Sequence, residues 1–169
     1  EDDLTSETGI DYTKLRDLLK AGKWQEADYE TYLVMLQAMG RQKENRFSSV
    51  QLLNFPCKDL CTINTLWVKY SNGEFGFSVQ KEIYLSVGGK ADGEYNQEAW
   101  IKLATKVGWM INGTLRDEYD LIFETFAPRG HLPLGHLKNS NWDSWEKWGE
   151  MHVVQCDVML FSRLATCKA

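Results

Sequence analysis

Proline is scarce in this chain, three residues in 169. Alternating strand-like runs are scarcer still. Without them no large sheet is expected, and the few prolines leave most of the chain free to be helical. No apolar run approaches the ~20 residues needed to cross a bilayer. Positive charge is short as well: the net charge is −5, which excludes a surface built to displace counterions from nucleic acid. The basic clusters at Lys14–Lys23 and Arg41–Arg46 are interrupted by acids and read as solvated helix faces. Four cysteines sit inside apolar patterns, which suggests buried thiols in a reducing compartment rather than a disulfide framework.

Signs of catalysis are also missing. Cys57, Cys61, His131 and His136 would make an odd zinc set, because the Cys-x3-Cys spacing is not one that structural sites use. No cysteine has a glycine elbow or oxyanion motif beside it. Asp117, Glu118, Asp120 and Glu124 lie on a loop-like segment and read as solvated acids. VGGKADG lacks the strand-to-helix setting of a phosphate loop.

What is present is helical periodicity. Tyr12, Leu15, Leu18 and Leu19 share one face, and Gly22 ends the run. A second helix runs from Trp24 to about Met39. SSVQLLNF offers a short helix before Pro56. Leu60, Ile63, Leu66, Trp67 and Tyr70 form the next stripe, with Asp59 as its expected cap. Ser78 is the expected cap of a helix through FSVQKEIYLSV, and Asn96 that of QEAWIKLATKVGW. Val153, Cys156, Leu160, Leu164 and Cys167 mark a last helix. LIFETFA alternates weakly and is a candidate extended segment. The expected fold is all-α, a compact bundle of about seven helices with a long loop lip. Residues 1–10 read as a flexible N-terminal segment and 11–169 as one helical domain. The opening EDDLTSET, without Met, reads as a processed or trimmed start.

Three stretches carry more apolar and cationic material than irregular backbone needs. FAPRGHLPLGHL (126–137) holds two of the three prolines, with Phe126, Arg129, His131 and Leu132. NGEFGFSVQ places Phe75 and Phe77 around Gly76. NSNWDSWEKW puts Trp142, Trp145 and Trp148 three residues apart. Loops of this kind over a helical scaffold make an apolar cleft with cations at its edge. The complementary ligand is flat, hydrophobic and anionic at one margin. Burying roughly 300–400 Å² of it gives about 8–10 kcal/mol gross. Association costs of at least ~4 kcal/mol bring that to micromolar affinity or tighter. The same composition also suits a protein–protein interaction module whose groove binds a partner's amphipathic helix.

The motifs DYxxLxxLLxxGxWxxADxET (11–31), FPxxDLxxINxLWxxYSxGxFGFSVQxxI (55–83), FAPxGHLP (126–133) and LFSRLATC (160–167) resemble the porphyrin-binding "genomes uncoupled" regulators of magnesium chelatase. The similarity runs from Asp11 to Cys167. It implies a non-catalytic protein that binds protoporphyrin IX and Mg-protoporphyrin IX. It further implies activation of magnesium chelatase, through that enzyme's large porphyrin-binding subunit, in chlorophyll biosynthesis, with a role in plastid-to-nucleus signalling. The implied setting is the chloroplast, stromal and peripherally membrane-associated, as a monomer; no transit peptide is in view. The resemblance also implies that the helices form a cupped palm, which Phe75, Phe77, Val79 and Ile83 would build, with Phe126, Pro128, His131, Leu132 and Pro133 as the lip. Trp142 and Trp145 would fold over the pigment, and Arg129 and Arg163 would meet its propionates. No metal site on the protein is implied, although a neutral His131 is able to ligate magnesium directly or through water.

Overall fold

The computed structural model describes residues 1–44, 47–116, 120–134 and 151–167, with side chains of the last segment from residue 155 onward. Seven helices account for most of the described residues. They are α1 (Thr13–Lys20), α2 (Trp24–Ala38), α3 (Ser49–Leu52), α4 (Cys57–Tyr70), α5 (Phe77–Ser86), α6 (Gln97–Lys106) and α7 (Met151–Cys167). Each amphipathic stripe in the sequence turns inward: Leu15 and Leu19 of α1, Leu60, Ile63 and Trp67 of α4, and Trp100 and Leu103 of α6 are all buried. Aromatic rings join the layers. Trp24 meets Phe75 edge-on at 5.5 Å between centroids, and Tyr84 of α5 lies 5.5 Å from Phe161 of α7.

The sheet content is one hairpin. Met110–Ile111 (β1) and Thr114–Leu115 (β2) pair antiparallel, Met110 opposite Leu115. Asn112 and Gly113, both at positive φ, make its turn. An Asn-Gly pair between apolar residues is a strong short-range hairpin signal, and the sequence reading passed over it. LIFETFA, a candidate extended segment, forms no strand.

Two helix starts differ from expectation. The α4 helix begins at Cys57, so Asp59 lies inside its first turn rather than capping it. The Asp59 carboxylate, fully buried, accepts hydrogen bonds from the Ser6 hydroxyl, the Glu7 amide (3.1 Å), the Thr8 hydroxyl (3.0 Å) and the Tyr12 hydroxyl (2.8 Å). Residues 1–10, read as flexible, are therefore tied to α4. Thr62 adds a bond to the Thr5 carbonyl, and Tyr70 one to Asp2. Likewise α5 begins at Phe77, not after Ser78. Its free Ser78 amide donates to Asn64 Oδ1 of α4 at 2.8 Å, so the cap comes from another helix. Asn96 caps α6 as expected, accepting from the Ala99 amide at 3.0 Å.

The cysteines need a correction. Cys57 and Cys167 form a disulfide, Cα atoms 5.4 Å apart, while Cys61 and Cys156 are free. A 110-residue separation left no local signal of this pairing. Burial pushes the Cys156 thiol up to about 12, so it is an inert core thiol.

Candidate functional site: a cationic cleft under a bolted loop

The loop 126–134 divides into two parts. From Gly130 to Leu134 every residue is buried, and the backbone is bolted to its surroundings. The Gly130 amide donates to Glu74 O (2.7 Å), Gly76 donates to Leu132 O (3.0 Å), and Trp109 Nε1 donates to His131 O (2.8 Å). Buried Gln80 gives its side-chain amide to both Gly130 O (3.1 Å) and Pro133 O (3.0 Å). Leu134 closes the series by donating to Asp28 of α2 at 2.6 Å. The Leu132–Pro133 peptide is cis.

Glycine permits this seating. Gly130 has φ +81°, and a Cβ there would come within 2.8 Å of Ile83 Cδ1 and 3.0 Å of Val107 Cγ1. A Cβ on Gly108 would come within 2.8 Å of Pro128. The loop therefore rests directly on α5 and on the end of α6.

His131 is part of the bolt. Its ring is fully buried. Nε2 accepts from the Ile122 amide (3.1 Å), so Nδ1 carries the proton and donates to Val107 O (2.6 Å). Burial lowers its pKa, partly opposed by the Val107 bond. Both nitrogens are engaged in this arrangement, and neither is directed at a ligand metal.

Upstream of Gly130 the loop is open at Phe126 and Arg129, while Ala127 between them is buried. Phe126 is 78 % exposed, the largest exposure of any bulky apolar side chain described. Arg129 is exposed and ion-paired with Glu82 of α5 at 2.8 Å. Beneath it lies a cleft of about 300 Å³ lined by Glu82, Ile83, Ser86, Lys106 and Arg129. Two cations, Lys106 and Arg129, thus share this lining with the largely buried Ile83. A larger hollow of about 710 Å³ lies along residues 90–102. Its charged lining mixes Asp92, Glu94 and Glu98 with Lys90 and Lys102, a poorer match for an apolar anion than the smaller cleft.

The thirteen residues marked in the sequence separate on this geometry. Ile83 and Arg129 line the cleft, with half-buried Pro128 and exposed Phe126 on the adjoining loop. Phe75, Phe77, Val79, His131, Leu132 and Pro133 are buried. Phe75 and Phe77, at 1 % and 0 % exposure, pack within the core and present no surface to a ligand in this conformation. Arg163, half-buried on α7, donates to Phe55 O at 2.7 Å and does not line the cleft. Trp142 and Trp145 lie outside the described residues. Lys106 was missed by sequence reasoning: a lysine at the end of an exposed helix face looks like any other, and only the seating of the loop brings it near Arg129.

The chain as a whole has known relatives. The GUN4-like family model matches residues 5–148. The chain belongs to the GUN4-like family. It is 36 % identical over 134 residues to a Ycf53-like protein of Synechocystis, covering 78 % of this chain and 54 % of that one. It is 33 % identical over 133 residues to a chloroplastic tetrapyrrole-binding protein of Arabidopsis thaliana, covering 76 % and 49 %. The chain spans about half the length of these curated relatives. GUN4 from Chlamydomonas reinhardtii superposes with a TM-score of 0.71 at 30 % identity, over 94 % of this chain and 92 % of that one. Ligand-free Arabidopsis GUN4 gives 0.69 at 27 %, over 95 % and 97 %. The helical fold expected from sequence is the family's fold.

Proposed function

We propose that this chain is a non-catalytic tetrapyrrole-binding protein that takes protoporphyrin IX and Mg-protoporphyrin IX at the cleft beside loop 126–134. The observation that carries the reading is that Lys106 and Arg129 line one cleft together with Ile83, with Phe126 exposed on the same loop as Arg129. A porphyrin's ring edge needs apolar cover, and its propionates need cations. The Arg129–Glu82 pair is solvent-exposed, and such pairs hold by only about 0–1 kcal/mol. A ligand carboxylate is therefore able to displace Glu82 with little penalty. The name of the Arabidopsis relative supports the ligand class.

On this reading the chain acts with the large porphyrin-binding subunit of magnesium chelatase to activate that enzyme, and it bears on plastid signalling. It supplies pigment rather than chemistry. On this reading the magnesium enters with the pigment. Trp109, bonded to the His131 carbonyl, is a built-in reporter. Titration with a deuteroporphyrin should quench tryptophan emission saturably in the micromolar range. Absence of a saturable signal, or a signal unchanged by Lys106→Ala with Arg129→Ala, overturns the assignment.

A further inference from the structure

We propose that the Cys57–Cys167 bridge is a reductively opened clamp, acted on by a dithiol protein, that sets how firmly the last turn of α7 is held to α4. Cys57 is the first residue of α4 and Cys167 the last of α7. Both residues are half-buried, unlike the enclosed Cys156. The body of α7 does not depend on the bridge. Cys156, Val158, Leu160, Phe161 and Leu164 are buried in the common core, and Trp100 Nε1 of α6 donates to Asp157 at 3.0 Å. Near the bridge, Ala165 and Thr166 are exposed, and the described tie is the single bond from Arg163 to Phe55 O. A domain with so complete a core has little need of a staple, and this one sits where opening it releases an end rather than the fold.

The two sulfurs are electrostatically unequal. Cys57 occupies a helix N-terminus, where unpaired amides favour a thiolate, and exposed Lys58 is its neighbour. Cys167 occupies a helix C-terminus, which disfavours one. An incoming thiolate therefore attacks Cys167 Sγ, the S–S bond breaks, and Cys57 leaves as the thiolate. The reductant's second thiolate then attacks the mixed disulfide and releases Cys167. Two electrons and two protons pass to the protein, and the reductant's own Cys-x-x-Cys pair ends as a disulfide.

The test uses the folded chain, a Cys-x-x-Cys thioredoxin kept reduced, alkylation with mass mapping, and thermal melting. Cys57 and Cys167 should resist alkylation before reduction and label after it, with the chain still folded. The melting temperature should then fall by about 10 °C, given the long loop that the bridge closes. The Cys57→Ser, Cys167→Ser double variant should melt at the lower temperature with or without reductant, and Cys61→Ser should behave as the parent. Labelling of the pair without reductant would overturn the proposal. So would protection from thioredoxin that lasts until the chain is denatured, or a melting temperature that reduction does not move. None of these readouts requires pigment, so the clamp stands or fails apart from the binding site.

Discussion

Phe126 and Leu132 belong to one loop and one sequence motif, yet only Phe126 is open to solvent; Leu132 is fully enclosed. Phe126→Ala should weaken porphyrin binding by about 1–2 kcal/mol, roughly 5- to 30-fold in Kd, and leave the melting curve in place. Leu132→Ala should do the reverse, with a loss of about 2–5 kcal/mol of stability. Quenching titrations and denaturant melts on the two variants read these out separately. Arg129→Ala should weaken binding in a manner that fades at high salt, because the group is exposed and screened. His131 makes an acid-side prediction. Its folded pKa lies below the unfolded value near 6.5, so the unfolded chain binds the extra proton first. Stability should be full above pH 6.5 and decline as pH falls from there toward the folded value. A His131→Gln variant should lose that slope in melts between pH 4.5 and 7.5; an unchanged slope would assign it to other groups.

Secondary elements were legible wherever their signal was periodic. Leu60, Ile63 and Trp67 recur at helical spacing, and α4 followed from that. What periodicity does not encode is a polar group borrowed from elsewhere. Asp59 looked like a cap because capping residues and buried anchors are the same residue types; only folding shows that it gathers residues 6–12. Asp59→Ala should cost about 2–4 kcal/mol, since it strands the buried Tyr12 hydroxyl and frees the opening segment. Hydrogen exchange at Glu7, Thr8 and Ile10 should accelerate more than anywhere in α6. In the same way Ser78 was credited with a cap that Asn64 provides across the α4–α5 junction. Loop 126–134 was recognisable as unusual, but backbone without a period gives no rule for which side chains face inward. Thus Phe75 and Phe77 read as a palm although Trp24 and Trp67 enclose Phe75, and Lys106 passed unnoticed.

At the scale of the whole molecule, family membership joins what the parts leave separate. On the proposed reading, occupancy of the cleft beside loop 126–134 should register across the whole helical core. Ligand that binds only the native state at 100 times its Kd adds about 2.7 kcal/mol, a rise of roughly 5–10 °C in melting temperature for a domain of this size. A thermal shift series with deuteroporphyrin checks it, and an unmoved transition would mean that the pigment quenches without seating. Gly130→Ala gives the complementary test. Its Cβ would press on Ile83 and Val107, so it should lower the melting temperature and weaken pigment binding together.

The riveted half of loop 126–134 has a consequence for the cost of filling the proposed site. Five consecutive residues, Gly130–Leu134, are already immobilised by bonds to α2, α5 and the segments that flank them. Fixing backbone costs about 1–2 kcal/mol per residue, and here folding has met that demand before any guest arrives. If a pigment binds as proposed, its capture restricts only a few surface side chains, and the rim serves as a prefabricated doorway rather than a flap that must be recruited at each visit.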